Sequence, residues 1–289
     1  MNRVPLSEDV ADKSNCSELR DKVALITGAG SGVGRAIAEV FAKEGIKVVL
    51  CGRRAEKLNE TAQSIQMTKG DCVVLPGDIS SPDQVKQVVQ KSLAHYGRID
   101  ILYNNAGSFQ CIGGLWEVEV DAWWKDVTTN FRGPMLMMNA ILPHMMDRDS
   151  GIIINMSGGG STTALPGGSG YGSSKTALLR LTESTARELE RVGSRVFVVN
   201  MGPGTVRTEM TQFQVDSEMG RKWIPSTAEC FETNDLVEPT LCAYRSLDLI
   251  QHMRPSFNGR SFGTGMPIQD VARTLDANPG SEARLLRMA

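Results

Sequence analysis

The chain has no apolar stretch approaching the roughly twenty residues of a membrane span and no long block of one charge. Its 31 Lys and Arg against 33 Asp and Glu leave a net charge of -2. Phosphate-backbone binding needs a basic face, so neither nucleic acid nor a membrane is expected as a partner. There are only three histidines, His95, His144 and His252; they lie far apart and make no metal-ligand spacing, so no metal is expected. The six cysteines are scattered, with no Cys-x-x-Cys, and read as reduced thiols rather than a disulfide frame or a zinc site. The segment Met1 to Arg20 is polar and lacks the apolar region of a secretory signal. A cytoplasmic protein is the expectation. With 41% hydrophobic and 22% charged residues over 289 positions, the composition is that of an ordinary folded chain able to bury a large core.

What the chain does have is glycine in telling places. The run Thr27-Gly28-Ala29-Gly30-Ser31-Gly32-Val33-Gly34 follows the apolar Val23-Ala24-Leu25-Ile26, which reads as a buried strand. After it, Val33, Ala36, Ile37, Val40 and Phe41 recur at helical spacing, and Gly45 stands where a helix C-terminal glycine belongs. Strand, glycine turn and helix together make a phosphate cradle. Glycines let the backbone approach a pyrophosphate, and the helix N-terminus offers unpaired N–H groups and a positive dipole end.

Strand-like runs recur at Val23–Thr27, Lys47–Cys51, Cys72–Leu75, Ile99–Tyr103, Gly151–Met156 and Arg195–Asn200. Most are nearly all apolar, as parallel strands covered on both faces must be. Between them lie helical patterns. Ser81-Pro82-Asp83 reads as an N-cap, a first-turn proline and a first-turn acid. Asp121 can cap a helix running to about Met146, bent or interrupted at Gly133-Pro134. Another helix runs from about Tyr171 to Glu190. Alternating strands and helices predict an α/β fold: one doubly wound parallel sheet with helices on both faces. The expected division is a polar N-terminal extension over 1–20, the nucleotide-binding domain over 21–269, with a substrate flap at about 205–235, and a mobile polar tail over 270–289.

The glycine spacing Gly-x-x-x-Gly-x-Gly at Gly28, Gly32 and Gly34 differs from the common dinucleotide fingerprint, which would need glycine at Val33. With Thr27 before it, Asn104-Asn105-Ala106-Gly107 after the fourth strand, Asn130, and Tyr171-Gly172-Ser173-Ser174-Lys175, the chain resembles the short-chain dehydrogenase/reductase family over roughly residues 20 to 210. The resemblance implies a nicotinamide cofactor held by Gly28, Ser31, Gly32, Val33, Gly34, Asp78, Ile79, Asn105, Ala106, Gly107, Tyr171, Lys175, Pro203, Gly204 and Thr208. The second strand bears on which cofactor. NAD enzymes place an acid near its end to bind the ribose 2′-hydroxyl; here Gly52 takes that place, followed by Arg53 and Arg54. A guanidinium accepts a 2′-phosphate where a carboxylate would repel it, so NADP is expected over NAD.

Tyr171 and Lys175 are four apart at a helix start and share one face. A free phenol, with a pKa near 10, is a poor acid–base group at neutral pH, and a neighbouring ammonium is expected to lower that value. By the resemblance, Tyr171 exchanges a proton with a carbonyl or alcohol, Lys175 holds the nicotinamide ribose, and Asn130 positions a relay water. The family's catalytic serine is missing: Asn155-Met156-Ser157-Gly158 has glycine where the second serine of Asn-x-Ser-Ser stands. Ser157 is the preferred substitute; Ser161, with Thr162 beside it, stays open. Met210, Phe213, Val215, Met219, Trp223 and Ile224 give the flap an apolar side, and Gly113, Gly114, Leu115 and Trp116 offer another wall. The resemblance also implies a homodimer or homotetramer paired through the helices near 121–146 and 171–190. The function expected is an NADP-dependent oxidoreductase interconverting a small-molecule carbonyl and alcohol. The alternative is a catalytically weak NADP-binding sensor or scaffold; a nucleotide-sugar epimerase would need a different glycine spacing and a longer chain.

Overall fold

The computed structural model describes residues 16–278, 280–283 and 285. Seven strands form one sheet: β1 (Val23–Thr27), β2 (Lys47–Gly52), β3 (Cys72–Pro76), β4 (Ile101–Asn104), β5 (Gly151–Met156), β6 (Val196–Gly202) and β7 (Ser261–Gly263). Their order is β3-β2-β1-β4-β5-β6-β7 and every neighbouring pair is parallel. The chain winds outward from β1 to β3, then returns to lay β4 on the other side of β1. That reversal leaves a crevice above the strand ends, where such sheets bind ligands.

The helices are α1 (Gly32–Lys43), α2 (Ala55–Met67), α3 (Pro82–Tyr96), α4 (Val120–Val127), α5 (Gly133–Asp147), α6 (Ser169–Arg191), α7 (Glu209–Asp216), α8 (Glu218–Trp223), α9 (Pro225–Glu232), α10 (Pro239–Gln251) and α11 (Ile268–Ala277). Successive strand residues point to opposite faces, and the core divides accordingly. Ala24, Ile26, Val48 and Leu50 join Ile37 and Phe41 of α1 and Leu247 and Ile250 of α10. Val23, Leu25 and Val49 join Val85 and Val88 of α3 and Met137 and Ile141 of α5. Among the described residues no helix is long and apolar enough to cross a membrane.

Several local expectations hold and several need correcting. Ser81 caps α3 by accepting from the Gln84 N–H, and Gly97 ends the helix at φ 73°. Gly45 follows α1 at φ 86°. The long helix expected over 121–146 is instead α4, a π-helical turn at Thr128–Arg132, and α5. The break precedes Gly133, and the residue before α4 is Glu119, so Asp121 lies inside the first turn. The tail expected from 270 is not loose at its start. Ile268, Val271, Ala272 and Leu275 are buried at helical spacing on α11, because they complete the core beside α10. Of the 1–20 extension, residues 1–15 lie outside the described residues; Cys16–Leu19 form a short 3-10 turn that buries Leu19. Strand β7 was not expected: its three residues, Ser-Phe-Gly, are too few to show a period.

A row of amides crosses the sheet near the strand ends. Asn104, Asn155, Asn200 and Ser261 stand in register on β4, β5, β6 and β7. Asn104 Nδ2 donates to Asn155 Oδ1 at 2.9 Å, and Asn155 Nδ2 donates to Thr182 Oγ1 at 2.8 Å. The Thr182 hydroxyl lies 2.9 Å from Asn200 Oδ1. These groups are buried between the sheet and α6, and they fix the level at which the crevice opens.

Candidate active site

A cavity of about 620 Å³ lies over the strand ends. Of the residues the sequence assigns to the cofactor and the chemistry, all but Gly34 and Asn130 line it. The glycines account for its floor. Gly28 holds φ 67°, and a Cβ there would stand 2.9 Å from Ala106 Cα. A Cβ on Gly34 would stand 2.4 Å from the Gly28 carbonyl oxygen, so Gly34 serves the close packing of α1 against the loop. Asn105 Nδ2 donates to the Thr27 carbonyl at 2.9 Å, and Thr27 Oγ1 accepts from the Asn105 and Ala106 N–H groups at 3.1 Å each. The Asn-Asn-Ala-Gly segment thus ties β4 to the glycine loop after β1. Ser31 stands at the N-cap of α1 without capping it; its hydroxyl accepts instead from Arg54 at 3.2 Å. The helix N-terminus therefore faces the cavity with no side chain over it, which fits a pyrophosphate.

At the β2 end, Gly52 leaves room beside two arginines. Arg54 pairs with Glu209 of α7 at 2.9 Å. Arg53 is exposed and makes no hydrogen bond or ion pair among the described residues. Asp78 lies nearby. Burial alone would raise its pKa, but hydrogen bonds from the Ser80 N–H and hydroxyl, with the charges of Arg53 and Lys125, hold it below the usual value.

At the other end, α6 starts at Ser169 and brings Tyr171 and Lys175 onto one face. The Tyr171 ring stacks on Phe109, with centroids 4.4 Å apart and planes 11° from parallel. Lys175 is buried, its Nζ donating to the Met156 carbonyl at 2.8 Å and lying 5.6 Å from the Tyr171 ring centre. Burial pulls its pKa from 10.5 down to about 8. The expectation that Lys175 lowers the Tyr171 pKa is corrected. Burial, reinforced by the Asp126 carboxylate, pushes the phenol up to about 12, so it holds its proton at neutral pH.

The lysine's burial has a consequence for stability. A lysine whose folded pKa lies below its unfolded value binds fewer protons when folded, so its penalty is complete below pH 8 and fades as pH rises toward 10.5. Lys175→Met is expected to stabilise the nucleotide-free protein by about 2–3 kcal/mol at pH 7. Chemical denaturation at pH 7 and pH 10 checks it: an equal effect at both values would show that the ammonium carries no such penalty.

Asn130 falls in the π-helical turn, a feature often found at functional sites. Its side chain bridges the Ser108 backbone: Oδ1 accepts from the Ser108 N–H and Nδ2 donates to the Ser108 carbonyl, each at 2.7 Å. Asp126, one turn earlier, was missed in the sequence. It is fully buried and accepts from the Ser108 hydroxyl and from the Gln110 and Cys111 N–H groups. Asp126 and Asn130 together hold the 108–111 segment, and with it Phe109 beneath the Tyr171 ring. A buried acid in a helical pattern reads as a solvated residue, so no sequence signal distinguished it.

The serine question has a geometric answer at Gly158. A Cβ there would stand 2.2 Å from the Tyr171 hydroxyl oxygen, so the phenol occupies the space a side chain at 158 would need. Ser157 lines the cavity, but its Oγ lies 3.3 Å from where a Cβ on Gly202 would stand, toward β6. Ser161 is buried and lies off the cavity wall.

On the flap, Met210 and Ile224 reach the cavity, while Phe213, Met219 and Trp223 pack with Phe109, Ile112 and Leu165 in the layer behind. Val215 joins neither group. Leu115 and Trp116 form no wall: they are 67% and 82% exposed and lie off the cavity, with Trp116 against Gly114 and the edge of Trp223.

Known proteins match this architecture. The family profile for short chain dehydrogenase matches residues 22–219. An uncharacterized oxidoreductase of Staphylococcus saprophyticus is 37% identical over 195 residues, 67% of this chain and 82% of that protein. A variant of actinorhodin polyketide ketoreductase, solved with NADPH, superposes with a TM-score of 0.76 at 27% identity, covering 84% of this chain and 95% of the other. Levodione reductase gives 0.76 and 27%, covering 85% and 96%. The crevice, the glycine loop and these likenesses agree, and the chain belongs to the short-chain dehydrogenases/reductases, as an NAD(P)-dependent oxidoreductase.

Proposed function

We propose that the protein is an NADP-dependent carbonyl reductase in which Tyr171 is the proton donor. The observation that carries this reading is the placement of the Tyr171 hydroxyl at the end of β5, against Gly158, in the same cavity that holds Arg53 beside Gly52. Gly28, Gly32, the open N-terminus of α1 and Asn105 are suited to hold the dinucleotide, and Lys175 has donors to spare for ribose hydroxyls after its bond to Met156. A reduced nicotinamide bound there supplies a hydride. The chain supplies the rest. Tyr171, protonated because burial and Asp126 keep it so, gives its proton to the oxygen of the substrate carbonyl. A phenol that holds its proton at neutral pH is in the form that donates to a carbonyl, whereas alcohol oxidation needs the phenolate. Phe109, Leu165, Met210 and Ile224 keep water from the reacting groups.

Arg53 is the proposed reader of the 2′-phosphate, since Arg54 is engaged by Glu209 and Ser31. Arg53→Ala is expected to raise the KM for NADPH by about tenfold or more while leaving NADH nearly unchanged, the loss of one charge-assisted contact. Equal losses for both cofactors, read in parallel steady-state titrations, reject the phosphate role.

The turn of Ser157 toward β6 favours a second reading, a nucleotide-binding sensor with little catalysis. A panel of neutral ketones with NADPH, followed by loss of the reduced-nicotinamide absorbance, separates the two. Turnover of any compound supports the reductase; tight NADPH binding with none oxidised supports the sensor.

A further inference from the structure

The substrate end of the cavity sets apolar side chains beside a few uncharged polar ones, with Gln214, Ser226 and Thr227 of α7 and α9 among them. Phe109, Leu165, Met210 and Ile224 line it. The lining residues that carry charge gather around β2 and β3 and the Arg54–Glu209 bridge, apart from Lys175, which faces the Met156 carbonyl. Among the uncharged polar residues of the lining, Gln214 stands out. It stands on α7 one turn beyond Met210, so the two share the inward face of that helix. Its side chain is 94% buried, at 6% exposure, yet it lines the cavity. The Thr227 hydroxyl of α9 donates to its Oε1 at 2.9 Å, which fixes the amide plane. Its Nε2 has no hydrogen-bond partner among the described residues and is not sealed off, but opens on the cavity.

An amide fastened at one end and open to the cavity at the other is left unpaired when an apolar ligand displaces the water there, unless the ligand itself completes it. We infer that Gln214 anchors a second oxygen of the substrate, so that the chamber takes a neutral, largely apolar ketone bearing another acceptor oxygen. This rests on the reductase reading of the same crevice and narrows it. Such a site rejects an analogue lacking the second oxygen, because the amide is then left unpaired in an apolar wall. Charged keto acids are disfavoured, since among the described lining residues only Lys175 brings a cation near that end and it serves the Met156 carbonyl.

The test is binding as well as turnover. NADP-loaded protein is titrated by calorimetry with acetophenone and with 1,3- and 1,4-diacetylbenzene, which add a second carbonyl to the same ring. One of the diketones is expected to bind about tenfold or more tightly than acetophenone, the worth of one good buried hydrogen bond. Gln214→Met, close in volume, should bring that ratio to near unity, weakening the diketone and relieving the penalty on acetophenone, with NADPH affinity unchanged. Thr227→Val, which unfastens the amide without removing it, should give an intermediate ratio and stands in for Gln214→Met if that variant fails to fold. A ratio unaltered by the substitution, equal binding of mono- and diketone by the parent protein, no binding of either, or a loss of nucleotide affinity overturns the inference. Selective diketone binding with no oxidation of NADPH upholds Gln214 and rejects the reductase reading instead.

Discussion

Tyr171→Phe is expected to lower kcat by about a thousandfold, within the range of a lost general acid, while NADPH binding stays within about twofold. The substitution keeps the ring, and so keeps its stack on Phe109 and the packing behind it. Only the hydroxyl is lost, and that hydroxyl is the acid in the reductase reading. Among the described residues no other acid is aimed at that place: Lys175 is turned to the Met156 carbonyl, and Asp126 is closed off by Ser108, Gln110 and Cys111. Stopped-flow binding and single-turnover measurements separate the two effects. A variant that keeps more than about a tenth of the parent turnover removes Tyr171 from the mechanism.

Gly158→Ala is expected to cost about a hundredfold in kcat, although a methyl group is the smallest possible addition. Its Cβ would stand 2.2 Å from the Tyr171 oxygen and 3.1 Å from the ring carbon that bears it. The phenol must therefore move, and displacements near 1 Å at a reacting atom cost on this scale. Gly158→Ser, which brings the motif to the family's Asn-x-Ser-Ser, meets the same obstruction and is expected to be no faster than the parent. NADPH affinity should hold in both variants, because Gly158 is remote from the glycine loop after β1. Either variant matching or exceeding the parent rate would show that Tyr171 has a second working position. Gly158 is then no defect in a motif but the residue that makes room for the phenol where it stands.

The sheet was legible because parallel strands buried on both faces leave unbroken apolar runs, as in β1 and β2. Strand β7 escaped because Ser261–Gly263 is too short to carry such a run. Helix α11 shows in its spacing of Ile268, Val271, Ala272 and Leu275, but the polar residues between them give the segment the look of a tail. At the site, the glycine loop and Tyr171 with Lys175 stood out because their chemistry demands fixed spacing along one element. Asp126 and Gln214 did not. Each acts through what packs across from it, the 108–111 segment for one and Thr227 for the other, and such partners are fixed only by the folded chain. The wrong sign for the Tyr171 pKa has the same source: the lysine was visible four residues away, while the burial of the ring, and after it the acid forty-five positions upstream, belong to the folded chain.

The asparagine row bears on how the chain finds this arrangement at all. Apolar strands of similar make-up slide past one another at little cost, since valine against isoleucine is much the same one position on. Shift β5 by a single residue and Asn155 turns to the other face, leaving Asn104, Thr182 and Asn200 without their mates in a dry interior. The row thereby works as a key, penalising mismatched assemblies of the sheet more than it strengthens the right one. It sits at the one level where an error of register would misplace both the glycine loop and the phenol.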